Sequence, residues 1–472
     1  MKIDIKLFKN LVCVSLLVFI TSCSIDDVQP LNQLTQDNTI RDEVSAQQVL
    51  NGVYDLGRDF DVSSFPLYLA AYGNEGSISG SLNGGNGFNT NEVPVNNQFL
   101  ANLYNGYYKI INSANFLVQE LEAGKVTDAS QDRVNEMISE AKIQRALAYF
   151  NLVRYFGQFY DLNSTYGVVL RKEFSTELTA SPRSSVQEVY TFIKEDLTFA
   201  AANGPELVQH FYVGKVTAQA LLAKVELYTG NYSEAATLAN SVINNTEGYA
   251  LESNYASIFS NSFNSSEVLF APFSSAGSDG GSGMDNIRNN TYSQNLKTIA
   301  DAQVGTANDG DLAGSGSNYD PRFSYAYSDA TQGANTQGKY PFAATANSQN
   351  NTMYHLRLAE VYLIHAEAEA RKPGGDLNVA LGSLNTIRNR VSVTPKTVSD
   401  KATMLEDIRQ EKLLELFFEN GESWFDLVRY NNLGDLNISS KKASVTTDRQ
   451  LVLPIPSQVI IGNNNVVQNP DY

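Results

Sequence analysis

Residues 218–243 read AQALLAKVELYTGNYSEAATLANSVI: a helix rich in small residues, a turn at Gly230, and a second helix of the same kind. Shifted by 145 positions, residues 363–388 read LIHAEAEARKPGGDLNVALGSLNTIR. Ala223, Gly230, Tyr232, Ala235, Ala239 and Val242 find their counterparts in Ala368, Gly375, Leu377, Ala380, Leu384 and Ile387. Small residues let paired helices approach closely, and glycine permits a tight turn between them. The alternative is two unrelated hairpins that share two common residue types.

This spacing resembles tetratricopeptide repeats and predicts a mainly α fold built on a helical array. Other segments extend the array. Ala46, Val49, Leu50, Val53 and Tyr54 follow the spacing of one buried helix face, as do Ile143, Ala146, Leu147, Phe150 and Val153 before a C-cap at Gly157. Residues 115–122, 140–156 and 186–201 supply further helices. Two stretches break the pattern: residues 75–97 hold 14 Gly, Ser or Asn among 23, and residues 274–290 hold 11 among 17. Neither buries enough apolar area to be a core element, so both are expected as surface loops.

Composition removes several classes of function. The 472 residues are 42% hydrophobic and 18% charged, which fits a globular chain. A net charge of −17, from 34 Lys and Arg against 51 Asp and Glu, argues against nucleic-acid binding. Two cysteines, Cys13 and Cys23, cannot form a disulfide framework, and three histidines leave little for a metal centre. His365 and Glu369 stand at i, i+4 without a third ligand. Asp309-Gly310-Asp311 lacks the loop pattern and terminal Glu of an EF-hand. No cofactor and no metal are expected.

The N-terminus carries an address. Lys2, Lys6 and Lys9 precede an apolar run at residues 11–20, too short to span a bilayer but suited to a secretory signal. The run ends Ile20-Thr21-Ser22-Cys23, similar to the lipobox at which bacterial lipoproteins are cut and acylated. Residues 1–22 would then be a signal peptide and Cys23 the lipidated first residue. Because residues 1–22 carry three Lys and one Asp, the mature chain is two charges more negative than the whole. Acyl chains, at ~0.8 kcal/mol per buried CH₂, would hold it at a membrane. Asp26 and Asp27 weakly resemble a surface-export signal.

Several segments, in order, resemble the SusD/RagB family of Bacteroidetes outer-membrane lipoproteins. They are Leu50-Asn51-Gly52-Val53-Tyr54; Tyr104, Tyr108, Ile111 and Asn115; the helix AKIQRALAYFNLVRYFG at 141–157; and Asp320-Pro321-Arg322. Then come RLAEVYL at 357–363 with Ala366-Glu367-Ala368, EKLLELFFENGESWFDLVRY at 411–430, Leu453-Pro454-Ile455-Pro456, and the ending Gln468-Asn469-Pro470-Asp471-Tyr472. Lys412 and Ser423 depart from the family's arginines, and the Glu of its Glu-Gly pair is displaced to Glu419. Glu411, Glu415 and Glu419 fall on one helix face, where pairing with Arg and Lys is commoner than acid–base chemistry. Asp426 and Arg429 suit a pair one turn apart. Trp424, the single tryptophan, reads as core.

The resemblance implies a tetratricopeptide scaffold supporting a loop-rich ligand-binding region. The signal would occupy 1–22 and one unit 23–472, with scaffold at about 40–60, 98–245 and 352–432 and loop-rich regions at about 61–97 and 246–351. It further implies a non-catalytic, lipid-anchored outer-membrane protein. Such a protein captures an oligosaccharide, polysaccharide or, as in RagB, a peptide, and delivers it to a SusC-like TonB-dependent transporter. Sugars are held by aromatic faces and planar polar side chains. Contacts are therefore expected from the loops: Tyr72, Asn74, Glu75 and Phe88 from the first, Arg288, Tyr292 and Tyr319 from the second. Tyr104 sits at helical spacing and reads as packing. With one Trp, a broad tryptophan platform for a long glucan helix is not expected. The rivals are a surface glycoside hydrolase, for which no G-x-S-x-G or H-E-x-x-H pattern appears, and a pure protein-interaction scaffold.

Overall fold

In the computed structural model, the longest amphipathic stretches form the longest helices. The residues described are 36–78, 85–177, 180–274, 293–303, 320, 322, 338–342 and 351–472. The signal segment with Cys23, and Asp309 to Asp311, lie outside them. The principal helices are α1 (Glu43–Leu56), α2 (Phe65–Tyr72), α3 (Gln98–Glu122), α4 (Gln131–Phe156), α5 (Val186–Asn203), α6 (Lys215–Tyr228) and α7 (Tyr232–Ile243). After α8 (Gln294–Asp301) come α9 (Leu358–Arg371), α10 (Leu377–Arg390), α11 (Lys401–Leu416) and α12 (Glu422–Asn432). Their starts carry the expected chemistry. Asp42 and Ser45 close a capping box on α1, and Ser185 and Glu188 close one on α5.

Successive helices from α3 to α7 pack on one another, α7 passes the array to α9, and α9 packs on α10 and α11. The two hairpins related by 145 residues are therefore α6–α7 and α9–α10. In the first turn Gly230 takes the left-handed conformation, φ +77°. In the second that task falls to Gly374, φ +67°, whereas Gly375 is needed because a Cβ there would overlap the Glu369 carbonyl. A two-stranded antiparallel sheet, β1 (Val268–Phe270) with β2 (Leu356–Arg357), ties the second loop-rich region to the start of α9. No helix among the described residues is long and apolar enough to cross a membrane.

One segment of the first loop-rich region is a core element. All eight residues of α2, FPLYLAAY, are buried, because a helix that is apolar on every side gives no amphipathic signal yet belongs inside. Its Phe65 and Tyr68 stack with Phe99 of α3, at 6.0 and 3.9 Å between ring centres.

Buried charge pins the helices to one another. Arg145 of α4 donates to both carboxylate oxygens of Asp196 on α5, at 2.8 and 2.7 Å, and to Asn115 of α3 at 2.6 Å. Glu367 of α9 accepts from Arg429 and Arg371 and lies 2.7 Å from Lys412, while Asp426 and Arg429 pair as their spacing implied. Lys412 thus bridges two buried acids, Glu367 and Asp426, at 2.7 and 3.3 Å.

Glu140 of α4 is different. Burial pushes its carboxyl up to about 7, even though it accepts the Tyr54 hydroxyl at 2.7 Å and has Arg133 nearby. Such a group favours the fold while protonated and penalises it once ionised. Its stabilising protonation is complete below the unfolded value near 4.5 and is lost as pH rises through about 7. Gln in its place still accepts the Tyr54 hydroxyl. The stability of Glu140→Gln relative to wild type is expected to rise by up to about 3 kcal/mol between pH 4.5 and 8, read by urea unfolding at each pH. Parallel pH profiles for the two proteins would refute this assignment.

Candidate functional site

The turn between α11 and α12, residues 417–421, is the place where the loop-bearing segments are fixed. It is a tight turn. Phe418 and Gly421 both take positive φ, +58° and +73°, and a Cβ on Gly421 would collide with the Leu69 side chain of α2. Glycine adopts this conformation freely, whereas Phe418 is strained in it, and such a residue persists where surrounding structure over-determines it.

The first loop leaves from this turn. Beyond α2, Asn74 takes the left-handed conformation (φ +67°) and turns Glu75 inward. The Glu75 carboxylate accepts the Phe418 amide at 2.6 Å and the Ser423 hydroxyl. Burial raises its pKa, with the two hydrogen bonds and Lys339 pulling the other way. Ser423, where the family's pattern has arginine, thus supplies a neutral donor to a buried acid.

The second loop returns to the same point. Ser293, the first described residue after 275–292, donates its amide to the Glu75 carbonyl at 2.9 Å and its hydroxyl to the Asn74 carbonyl at 2.5 Å. Further along, Lys339 donates to the carbonyls of Glu415 and Phe417 and to Glu419, at 2.7 to 2.9 Å, and the Tyr340 hydroxyl donates to the Phe418 carbonyl at 2.6 Å. Burial lowers the Lys339 ammonium to about 8, against the pull of Glu419.

Beneath the turn lies a fully buried ion network. Arg357 reaches Glu419, Glu267 and Glu415 at 2.8, 2.5 and 3.0 Å. Arg322 reaches Asp320, Glu411 and Glu415 at 2.7 to 2.9 Å. Arg390 joins Glu267 and Glu415 at 2.6 and 2.5 Å. Burial opposes ionisation of Glu415, but the guanidiniums of Arg390, Arg357 and Arg322 prevail and hold it far below the usual carboxylate range. Glu411 and Glu415 share a face of α11, while Glu419 lies past the helix end and enters the network from the turn. The motif acids are structural: each has a cationic partner and none is exposed.

Three of the expected contact residues are corrected by these positions. Tyr72 and Phe88 are fully buried and Glu75 is 1% exposed. The Tyr72 hydroxyl donates to the Gln450 carbonyl at 2.8 Å, and the Phe88 ring packs against Phe65, Tyr68 and Tyr72. They form the floor beneath the loop and offer a ligand no surface. The sequence placed them in a glycine-rich neighbourhood, and burial prevailed because each has a full set of partners. Asn74 is partly exposed at the loop junction. Arg288, Tyr292 and Tyr319 lie outside the described residues, in segments that start or end at this platform. Tyr104 is 4% exposed and packs against Tyr108 and Phe156, as its helical spacing suggested. Trp424 is 2% exposed and meets Tyr72 edge-on at 4.7 Å. His365 hydrogen-bonds Ser383 at 2.8 Å and stands 3.7 Å from Glu369.

Comparison with known proteins agrees with this architecture. Residues 287–472 match the model of the SusD family, and residues 27–227 match a model described as starch-binding, associating with the outer membrane. The chain is 26% identical to the SusD-like protein P2 of Formosa agariphila over 97% of its own length and 98% of the relative's. A SusD superfamily protein from Bacteroides thetaiotaomicron superposes with a TM-score of 0.76 at 26% identity, covering 93% of this chain and all of the other. A laminarin-binding SusD-like protein has the same fold, with a TM-score of 0.66 at 23% identity over 92% of this chain and 100% of that one.

Proposed function

The chain belongs to the SusD/RagB family, and on that premise we propose that it captures a glycan without cleaving it. The observation that carries this reading is the convergence of loop roots on one rigid turn: residues 74–75, 293 and 339–340 all bond to it or to one another. A rigid scaffold that roots polar, glycine-rich loops suits selective binding of a hydroxyl-rich polymer. Ligand contacts in this reading come from Asn74, Arg288, Tyr292 and Tyr319. Lipid on Cys23 keeps the protein at the outer membrane, where a SusC-like TonB-dependent transporter receives the glycan.

Native gels cast with laminarin, starch, xylan, alginate or mucin glycans test the capture role. The expected result is retardation by one polymer with no reducing sugar released. Release of reducing sugar would favour the hydrolase. Retardation by none, together with affinity for peptides, would favour the RagB-like reading.

A further inference from the structure

A second hollow lies away from the platform, along the exposed side of α1. Its aromatic end, about 320 Å³, is lined by Tyr54, Phe211, Tyr212 and Phe273 with Asp55 and Arg58. Its polar end, about 640 Å³, runs past Gln47, Arg133, Glu136 and Lys215. Asn51 and Tyr212 line both, so the two ends form one elongated cleft. Both volumes fall in the range of roughly 300–1,000 Å³ typical of small-ligand sites.

The chemistry is that of a sugar chain. Phe273 leaves 40% of its surface in solvent although it packs with Phe211 and Phe263 at 5.3 and 5.2 Å and carries the Arg58 guanidinium over its ring, 5.7 Å from the centre. A part-exposed aromatic ring beside planar amides and a guanidinium matches a pyranose, which offers an apolar face and a ring of hydroxyls. Two of the wall's cations are paired: Arg58 with Asp55 at 3.2 Å, and Arg133 with Glu43 and Glu136 at 3.2 and 2.9 Å, while Glu140, Glu206 and Lys215 also line the polar end. Pairing of both guanidiniums leaves the aromatic end suited to a neutral chain.

Connectivity joins the cleft to the platform. Phe273 stands at the departure of the segment 275–292, and Ser293, at its return, is bonded to Asn74 and Glu75. One loop therefore has the cleft at its first end and the platform at its second. We propose that the cleft between α1 and residues 205–215 is a second glycan-binding site, which holds another stretch of the same polymer. The proposal rests on the glycan reading of the platform. Two sites on one polymer raise avidity without any new contact, provided the chain spans both.

The test is calorimetric titration of the whole protein with malto-, laminari-, cello- and mannohexaose, followed by hydrogen–deuterium exchange with the hexaose that binds. Two hexaose molecules per chain are expected, with protection over residues 47–58 and 205–214. Phe273→Ala and Asn51→Ala, both at exposed positions, are expected to weaken one of the two at least tenfold and to abolish that protection. Arg288→Ala with Tyr292→Ala should weaken the other alone. A single binding event, indifferent to Phe273→Ala and Asn51→Ala and without protection of the cleft, overturns the second site and leaves the platform standing. Binding of no hexaose overturns the glycan reading of both.

Discussion

Replacing Arg357 with alanine is expected to cost about 3–5 kcal/mol, a large share of the roughly 5–15 kcal/mol that holds an ordinary protein folded. Arg357 is fully buried and makes five hydrogen bonds: two to Glu419, one each to Glu267 and Glu415, and one to the Glu415 carbonyl. Removing it strands carboxylates that have already lost their water, and that desolvation is the larger part of the loss. The surrounding cations soften the blow, since Glu267 keeps Arg390 and Glu419 keeps Lys339. Lysine is expected to recover only part of the stability, because one ammonium cannot reproduce a planar fork that serves three acids at once. Guanidinium unfolding of the alanine and lysine variants checks both statements. A loss below 1 kcal/mol for Arg357→Ala would mean that the network is not formed.

Truncating Trp424 to alanine is expected to cost a similar amount, about 3–5 kcal/mol, for a different reason. Its ring fills the space between α12 and α2, edge-on to Tyr72, with Gly73 so close that a Cβ there would come within 3.1 Å of the Trp424 Cβ. A backbone pressed this tightly cannot collapse far into the cavity, so most of the loss would persist. Phenylalanine should restore much of the stability and leave glycan affinity unchanged, since the indole touches no solvent-facing surface. Denaturation midpoints and gel retardation of the two variants separate the possibilities. If Trp424→Phe stays stable but loses binding, the tryptophan is a ligand contact and its assignment to the core fails.

The helical scaffold was legible from residue spacing. The pairing of Ala223 with Ala368 and of Gly230 with the second turn marks two hairpins that the structure shows, and Asn115, Glu140 and Val186 fall inside α3, α4 and α5. What escaped was anything set by distant partners. The helix α2 has no polar face to betray it. Gly374 rather than Gly375 turns the second hairpin, because the choice depends on where the Glu369 carbonyl lies. The site was legible only as a neighbourhood. Local composition marked residues 74–75 as loop, but burial of Tyr72 and Glu75 depends on residues more than three hundred positions away, such as Gln450 and Phe418, and Phe88 packs on the helix α2 that the pattern missed. The aromatic cleft was missed for the same reason: Tyr54, Phe211 and Phe273 come from three separate segments, and only the fold unites them.

The anchoring of Glu75 to Phe418 closes a span of 343 residues, and that of Tyr72 to Gln450 one of 378. Contacts between such distant positions delay folding, since chain entropy is surrendered before the reward arrives. The first helices cannot seal their own interior until α11, α12 and the segment around Gln450 have been made. The floor formed around Tyr72 therefore closes only once the last tenth of the chain, which holds Gln450, is in place.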